Sequence, residues 1–242
     1  MLGEPYLQPT PSFLTYLRRV ITWREMDFEQ SFTNMFYFCI QPSRAYRNTS
    51  YHKQTKNFWA RDDPAPVVVQ IAFILAASVA YSAAFASSVG EFLWYFFFHS
   101  SFFFFAIGCV MSTISRFVAN RYLRTPGPSH HTIEQRVEWM YAFDVHCNSY
   151  FPFFLWTTVF QYFLLPLLLR PGILGRFLSN GIHVVAVFQY CYVSFLGFNV
   201  LPFLHNTQYW LAPAAVFALV MLLLTLFTSL NLTRLLLSIT FG

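Results

Sequence analysis

Five long apolar blocks divide the chain. Residues 66–88 contain no charged side chain, and neither do 92–115, 149–169, 177–203 and 209–233. Each block reaches the roughly 20 residues an α-helix needs to cross a hydrocarbon core of about 30 Å. Inside the blocks the apolar residues run on unbroken, without the two-residue alternation of a barrel strand, so the backbone must be satisfied within helices. The pattern predicts an all-α polytopic membrane protein, with residues 66–242 forming a transmembrane domain of five spans.

Residues 1–65 follow a different rhythm. Phe13, Leu17, Val20 and Ile21, then Phe28, Phe32, Met35, Phe36 and Cys39, recur at helical spacing, with Arg18, Arg19, Arg24, Glu25, Asp27, Glu29 and Gln30 between them. This is the pattern of an amphipathic helical segment lying along the membrane or against the bundle. Pro42 ends it. Asp63 is expected to cap the first span, with Pro64 at the first helical position.

Charge then sets orientation. Residues 1–65 carry Arg18, Arg19, Arg24, Arg44, Arg47, Lys53, Lys56 and Arg61, and the loop after the second span carries Arg116, Arg121, Arg124 and Arg136. The opposite side has Arg170, Arg176 and Arg234. Twelve basic residues against three predict a cytosolic N-terminus and, with five spans, a lumenal C-terminus. No cleavable signal peptide is expected, because the first residues lack an apolar core followed by a small-residue cleavage site.

Composition agrees with lipid as the solvent. Of 242 residues, 56% are hydrophobic and 10% charged, where soluble domains carry about 25% charged residues. The four cysteines, Cys39, Cys109, Cys147 and Cys191, sit in or beside apolar runs and read as small buried hydrophobes. Neither a cofactor fingerprint nor a metal-ligand spacing is present, so no cofactor, metal or catalytic residue is expected.

Two places could carry chemistry. The stretch from Arg44 to Arg61 contains Arg44, Arg47, Lys53, Lys56 and Arg61, interleaved with Tyr46, Tyr51, Phe58 and Trp59. It reads as a positive-inside anchor, as a contact for anionic cytosolic lipid or a partner, or as an RNA-binding patch of cations and stacking rings. The second place is a polar cluster just ahead of the third span, with Asp144, His146 and Asn148 amid apolar sequence. Ionisable residues at membrane depth raise a functional question by default. On a regular helix Asp144 and Asn148 share a face, while His146 points about 200° around from Asp144. A local Asp–His relay is therefore disfavoured. The cluster reads first as interhelical hydrogen bonding, then as a lipid or partner site, and last as the centre of a lipid transporter or membrane enzyme. Pro152 and Pro166 are expected to kink the third span, and Gly197 and Pro202 the fourth.

Several longer motifs point to a known family. Met26-Asp27-Phe28-Glu29, Tyr46-Arg47-Asn48 and Trp59-Ala60-Arg61-Asp62-Asp63-Pro64-Ala65 come first. Then follow Glu138-Trp139, Tyr141-Ala142-Phe143-Asp144-Val145-His146, Phe195-Leu196-Gly197-Phe198 and Leu201-Pro202-Phe203-Leu204. In this order they resemble the uncoordinated-fifty family of Golgi membrane proteins, from about Met26 to the last span. The resemblance implies a five-span, non-enzymatic trafficking protein of the Golgi membrane. It further implies association with an exchange factor for Arf GTPases and support for surface delivery of cargo such as nicotinic receptors. RNA binding and a pool in the endoplasmic reticulum or inner nuclear membrane are implied as lesser possibilities.

Overall fold

The structure, a computed structural model, describes residues 26–47, 63–86, 88–125 and 135–241. Besides the helical residues 42–47, seven helices are described in these segments: α1 (Phe28–Ile40), α2 (Ala65–Phe85), α3 (Val89–Leu123), α4 (Trp139–Leu168), α5 (Ile173–Asn199), α6 (Thr207–Phe227) and α7 (Leu232–Phe241). Helices α2 to α6 are long and apolar enough to cross a membrane, as the five blocks predict.

Helix α4 is the hub. From Tyr141 to Pro152 every residue is buried, because α3, α5 and α1 together surround its first half. Helix α6 is the opposite case, leaving Val216, Leu219, Leu223, Leu226 and Phe227 exposed for lipid. Between helices in a bilayer, lipid tails are as apolar as leucine, so close packing and interhelical hydrogen bonds do the holding. Tyr81 donates from α2 to the Thr158 carbonyl of α4 at 3.0 Å, and Trp139 of α4 donates to Thr113 Oγ1 of α3 at 3.1 Å. Ser149 and Ser194 join α4 to α5 at 2.9 Å, and Asn180 Nδ2 of α5 donates to Thr225 of α6 at 2.8 Å.

Several boundaries differ from the sequence expectation. The third span begins at Trp139 rather than Ser149. Its polar residues are turned toward neighbouring helices, so lipid never meets them and the span tolerates them. The fifth span stops at Phe227, where Thr228 and Ser229 break the helix. A short separate helix, α7, follows and packs Leu237 and Phe241 against Tyr81, Tyr95 and Leu165. Pro202 lies beyond the end of α5 and bends nothing in it. Pro152 is followed by wide π-type turns over Leu155–Phe160, consistent with the backbone donor that proline removes. A longer π-type stretch occupies Phe98–Ala106 in α3.

Helix α1 lies against the first turns of α2 and the first half of α4. Met35 packs with Val69 and Phe151, and Phe32 meets the Phe73 ring edge-on. Phe32, Phe36 and Ile40, one turn apart, stay exposed along an outer stripe. After a break at Gln41, residues 42–47 are again helical and insert Ala45 and Tyr46 beside Val193 of α5. The part of the amphipathic segment before residue 26 lies outside the described residues.

Candidate functional site

The polar cluster sits inside the bundle. Asp144, His146 and Asn148 are all buried. His146 Nε2 lies 3.1 Å from the Phe104 carbonyl of α3, and Nδ1 lies 2.9 Å from the Tyr190 hydroxyl of α5. A carbonyl only accepts, so Nε2 carries the proton; in the neutral ring Nδ1 then accepts from Tyr190. Both nitrogens are thereby engaged in joining α3, α4 and α5, and neither is directed at Asp144. The ring fits because α3 has no side chain at Gly108, where a Cβ would stand 2.6 Å from His146 Nε2. Among the described residues, no group of three or more His, Cys, Asp and Glu side chains gathers as a metal site.

The basic segment is partly placed. Arg44 and Arg47 are exposed, with the Arg44 guanidinium 4.7 Å above the Tyr37 ring. Tyr46 between them is not a surface ring: it is buried against Phe38 and Val193. Lys53, Lys56 and Arg61 lie outside the described residues.

This end of the molecule is tied down by two polar links. Asp63 stands one residue earlier than expected relative to the helix, since α2 starts at Ala65 and Pro64 occupies the cap position. Its Oδ1 still accepts from the Ala65 N–H at 2.9 Å, and its Oδ2 accepts from the Asp27 N–H at 3.0 Å. Asp27 in turn caps α1 by accepting from the Gln30 N–H at 2.8 Å. At the other end of α1, Gln189 of α5 donates to the Cys39 carbonyl at 3.0 Å and accepts from Trp156 of α4 at 2.7 Å. Burial pushes the Cys39 thiol up to about 11, which suits a packing residue.

A largely apolar cavity with a few polar side chains, not anticipated from the sequence pattern, lies toward the opposite end. It has a volume of ≈ 210 Å³ and is lined by His99, Tyr81, Tyr150, Gln161 and His183 among aromatic residues, with α7 along one side. Gln161 donates weakly to Tyr81 and accepts from Thr233, joining α4 to α2 and α7. His183 donates from Nδ1 to the Ser179 carbonyl, leaving Nε2 buried without a partner among the described residues. The available signal was a glutamine and a histidine inside blocks otherwise fit for lipid.

The profile of the UNC-50 family matches residues 16–241. The chain belongs to this family. It is 43% identical to the unc-50 homolog of Dictyostelium discoideum over 206 residues, covering 83% of this chain and 77% of that protein. It is 38% identical to the unc-50 protein of Caenorhabditis elegans, covering 82% of this chain and 64% of that protein. The Danio rerio homolog is 36% identical over 86% of this chain and 80% of its own length. No solved structure matches.

In this UNC-50 family member, three of the segments that carried the resemblance meet at Gly197. Tyr141 donates to the Gly197 carbonyl at 2.6 Å. A Cβ on Gly197 would stand 2.8 Å from Tyr46 Oη and 2.9 Å from Val145 Cγ2. Segments far apart in the chain thus close on one glycine, fixing residues 42–47 onto the span bundle.

Proposed function

We propose that this chain is a non-catalytic scaffold of Golgi vesicular trafficking. Its α1 end faces the cytosol, recruits an exchange factor for Arf GTPases, and thereby supports surface delivery of receptor cargo. The observation that carries the reading is a charged surface tied to the spans at several points. Helix α1 and residues 42–47 are pinned to the spans through Asp63, Gln189 and Tyr46, while Glu29, Gln30, Arg44 and Arg47 remain exposed. A surface held in one geometry loses little conformational entropy on binding. Membership in the UNC-50 family and the charge division support the same reading. The anionic cytosolic leaflet is a second contact for Arg44 and Arg47, at about 1 kcal/mol per basic residue.

The polar cluster supports a structural role in this scheme, because His146 spends both nitrogens on neighbouring helices. The RNA-binding alternative is weakened by Tyr46, whose ring is turned into the bundle and offers no face for a base. Purification of the full-length chain from native membranes tests the proposal. Exchange factor should accompany the wild type and be lost from an Arg44→Glu, Arg47→Glu variant with an unchanged melting temperature. Retention of the exchange factor by that variant would contradict it.

A further inference from the structure

The end of the bundle opposite α1 has three basic residues, and all three meet. Arg170 follows α4, Arg176 lies in the first turn of α5, and Arg234 lies in the first turn of α7. With Gly172, Ser229 and Asn231 they line one pocket of ≈ 310 Å³. Short loops on the non-cytosolic side of a membrane protein are depleted in Lys and Arg. This chain follows that rule elsewhere, so the convergence of its three exceptions from separate helices needs a cause beyond topology.

The backbone is shaped to bring them together. Gly172 adopts φ +99°, a conformation open to glycine and strained for other residues, and leads directly into α5. A Cβ on Gly175 would stand 2.0 Å from the Arg170 carbonyl oxygen, so the turn can double back this tightly only with glycine there. Asn231 forms the opposing wall: its Nδ2 donates to the Leu168 carbonyl at 2.7 Å, and its Oδ1 accepts from the Arg234 N–H at 2.9 Å.

The guanidinium groups themselves are largely uncommitted. Arg234 donates to the Leu169 carbonyl at 2.9 Å and Arg176 donates to the Thr228 carbonyl, each using one of five available N–H donors. The Arg170 side chain makes no hydrogen bond among the described residues, and no carboxylate there pairs with any of the three. The α5 N-terminus at the rim also lacks a side-chain cap, which leaves its first N–H groups and its positive dipole end available to an anion.

We infer that this pocket binds a phosphate group, carried either by a lipid headgroup of that leaflet or by a free phosphate. Planar guanidinium forks match phosphate oxygens in bidentate pairs, and three such forks without a counter-charge relieve their mutual repulsion by taking up an anion. The site is separate from the cytosolic platform, so either can fail without the other.

Calorimetric titration of the full-length, detergent-solubilised chain tests the assignment with two probes, short-chain phosphatidic acid and inorganic phosphate. Arg170→Gln should weaken binding about five-fold, since each basic contact contributes about 1 kcal/mol. Its side chain holds no other group, so the fold should be untouched. Arg170→Gln, Arg234→Gln together should weaken binding further, and Arg116→Gln, an exposed arginine toward the other end of the bundle, should leave this binding event unchanged. Binding of phosphatidic acid alone, weakened in the arginine variants, identifies a lipid headgroup; binding of inorganic phosphate as tight or tighter identifies the free anion. Phosphate and phosphatidic acid binding that is absent, or unaltered in Arg170→Gln, overturns the site.

Discussion

Asp63 Oδ2 accepts the backbone N–H of Asp27 at 3.0 Å, while Oδ1 of the same carboxylate accepts the N–H of Ala65 at 2.9 Å. One side chain thus serves the beginnings of α1 and α2 and fixes where the N-terminal helix meets the spans. Removing it should release α1 before it disturbs the bundle.

Asp63→Ala is expected to lose about 1 kcal/mol for the capping interaction at α2, and to loosen α1. Hydrogen exchange should rise across residues 28–40 while the amides of α4 and α5 stay protected. Asp63→Asn should fall between, since an amide has one acceptor oxygen for two donors. Uniform exchange across all helices in Asp63→Ala would contradict the pinning role.

The glycines give a sharper comparison. Gly108→Ala would drive a methyl to 2.6 Å from His146 Nε2, and Gly197→Ala would meet Tyr46 and Val145 below 3 Å. Each should destabilise by about 1–3 kcal/mol through overpacking. Gly181, with nothing within 4 Å of its built Cβ, lies in the same kind of helix. Gly181→Ala should be neutral or stabilise by about 0.5–1 kcal/mol. Thermal melts of the three variants in one detergent check the ranking.

Asn231-Leu232-Thr233 has the acceptor pattern for N-glycosylation on the side read as lumenal. Its amide nitrogen is buried and already donates to the Leu168 carbonyl at 2.7 Å. The folded protein should therefore remain unmodified there, while a flexible C-terminal tag bearing an acceptor site should be glycosylated and an N-terminal tag should not. Glycosidase-sensitive mobility shifts read all three. Modification of the N-terminal tag would reverse the orientation.

Cys39 should react slowly with maleimide at neutral pH. Its acidity is weakened to about 11, so the thiolate is scarce until the pH approaches that value. Labelling should accelerate as pH rises, and fast labelling at pH 7 would show that α1 is not packed as described.

The spans were legible because charge is excluded from them residue by residue, and that exclusion needs no knowledge of neighbours. What the spans touch was not. Phe102 is exposed and Phe104 wholly buried, two positions apart in a run of identical residues. Lipid and protein interior are equally apolar, so the sequence pattern cannot separate those faces. The same blindness moved the start of the third span, where Asp144, His146 and Asn148 were read as a boundary although α3, α4 and α5 close around them. Tyr46 looked like a ring on a basic surface, yet it is buried against Phe38 and Val193, with its hydroxyl close to Gly197, far along the chain. The three arginines of the far end were visible as a count, but their meeting depended on Gly172, Gly175 and the unforeseen helix α7.

Rescue of trafficking in knockout cells separates most directly a buried polar cluster that only joins helices from one that acts itself, and tests the proposed role of the α1 surface. His146→Gln keeps one of two hydrogen bonds at a cost of about 1 kcal/mol, and Asp144→Asn keeps the shape. Both variants should reach the Golgi and restore receptor delivery. Arg44→Glu, Arg47→Glu should also reach the Golgi, yet fail to restore delivery. The contradicting result is the reverse pattern, with the charge-reversed surface fully active and correctly localised Asp144→Asn and His146→Gln proteins inert.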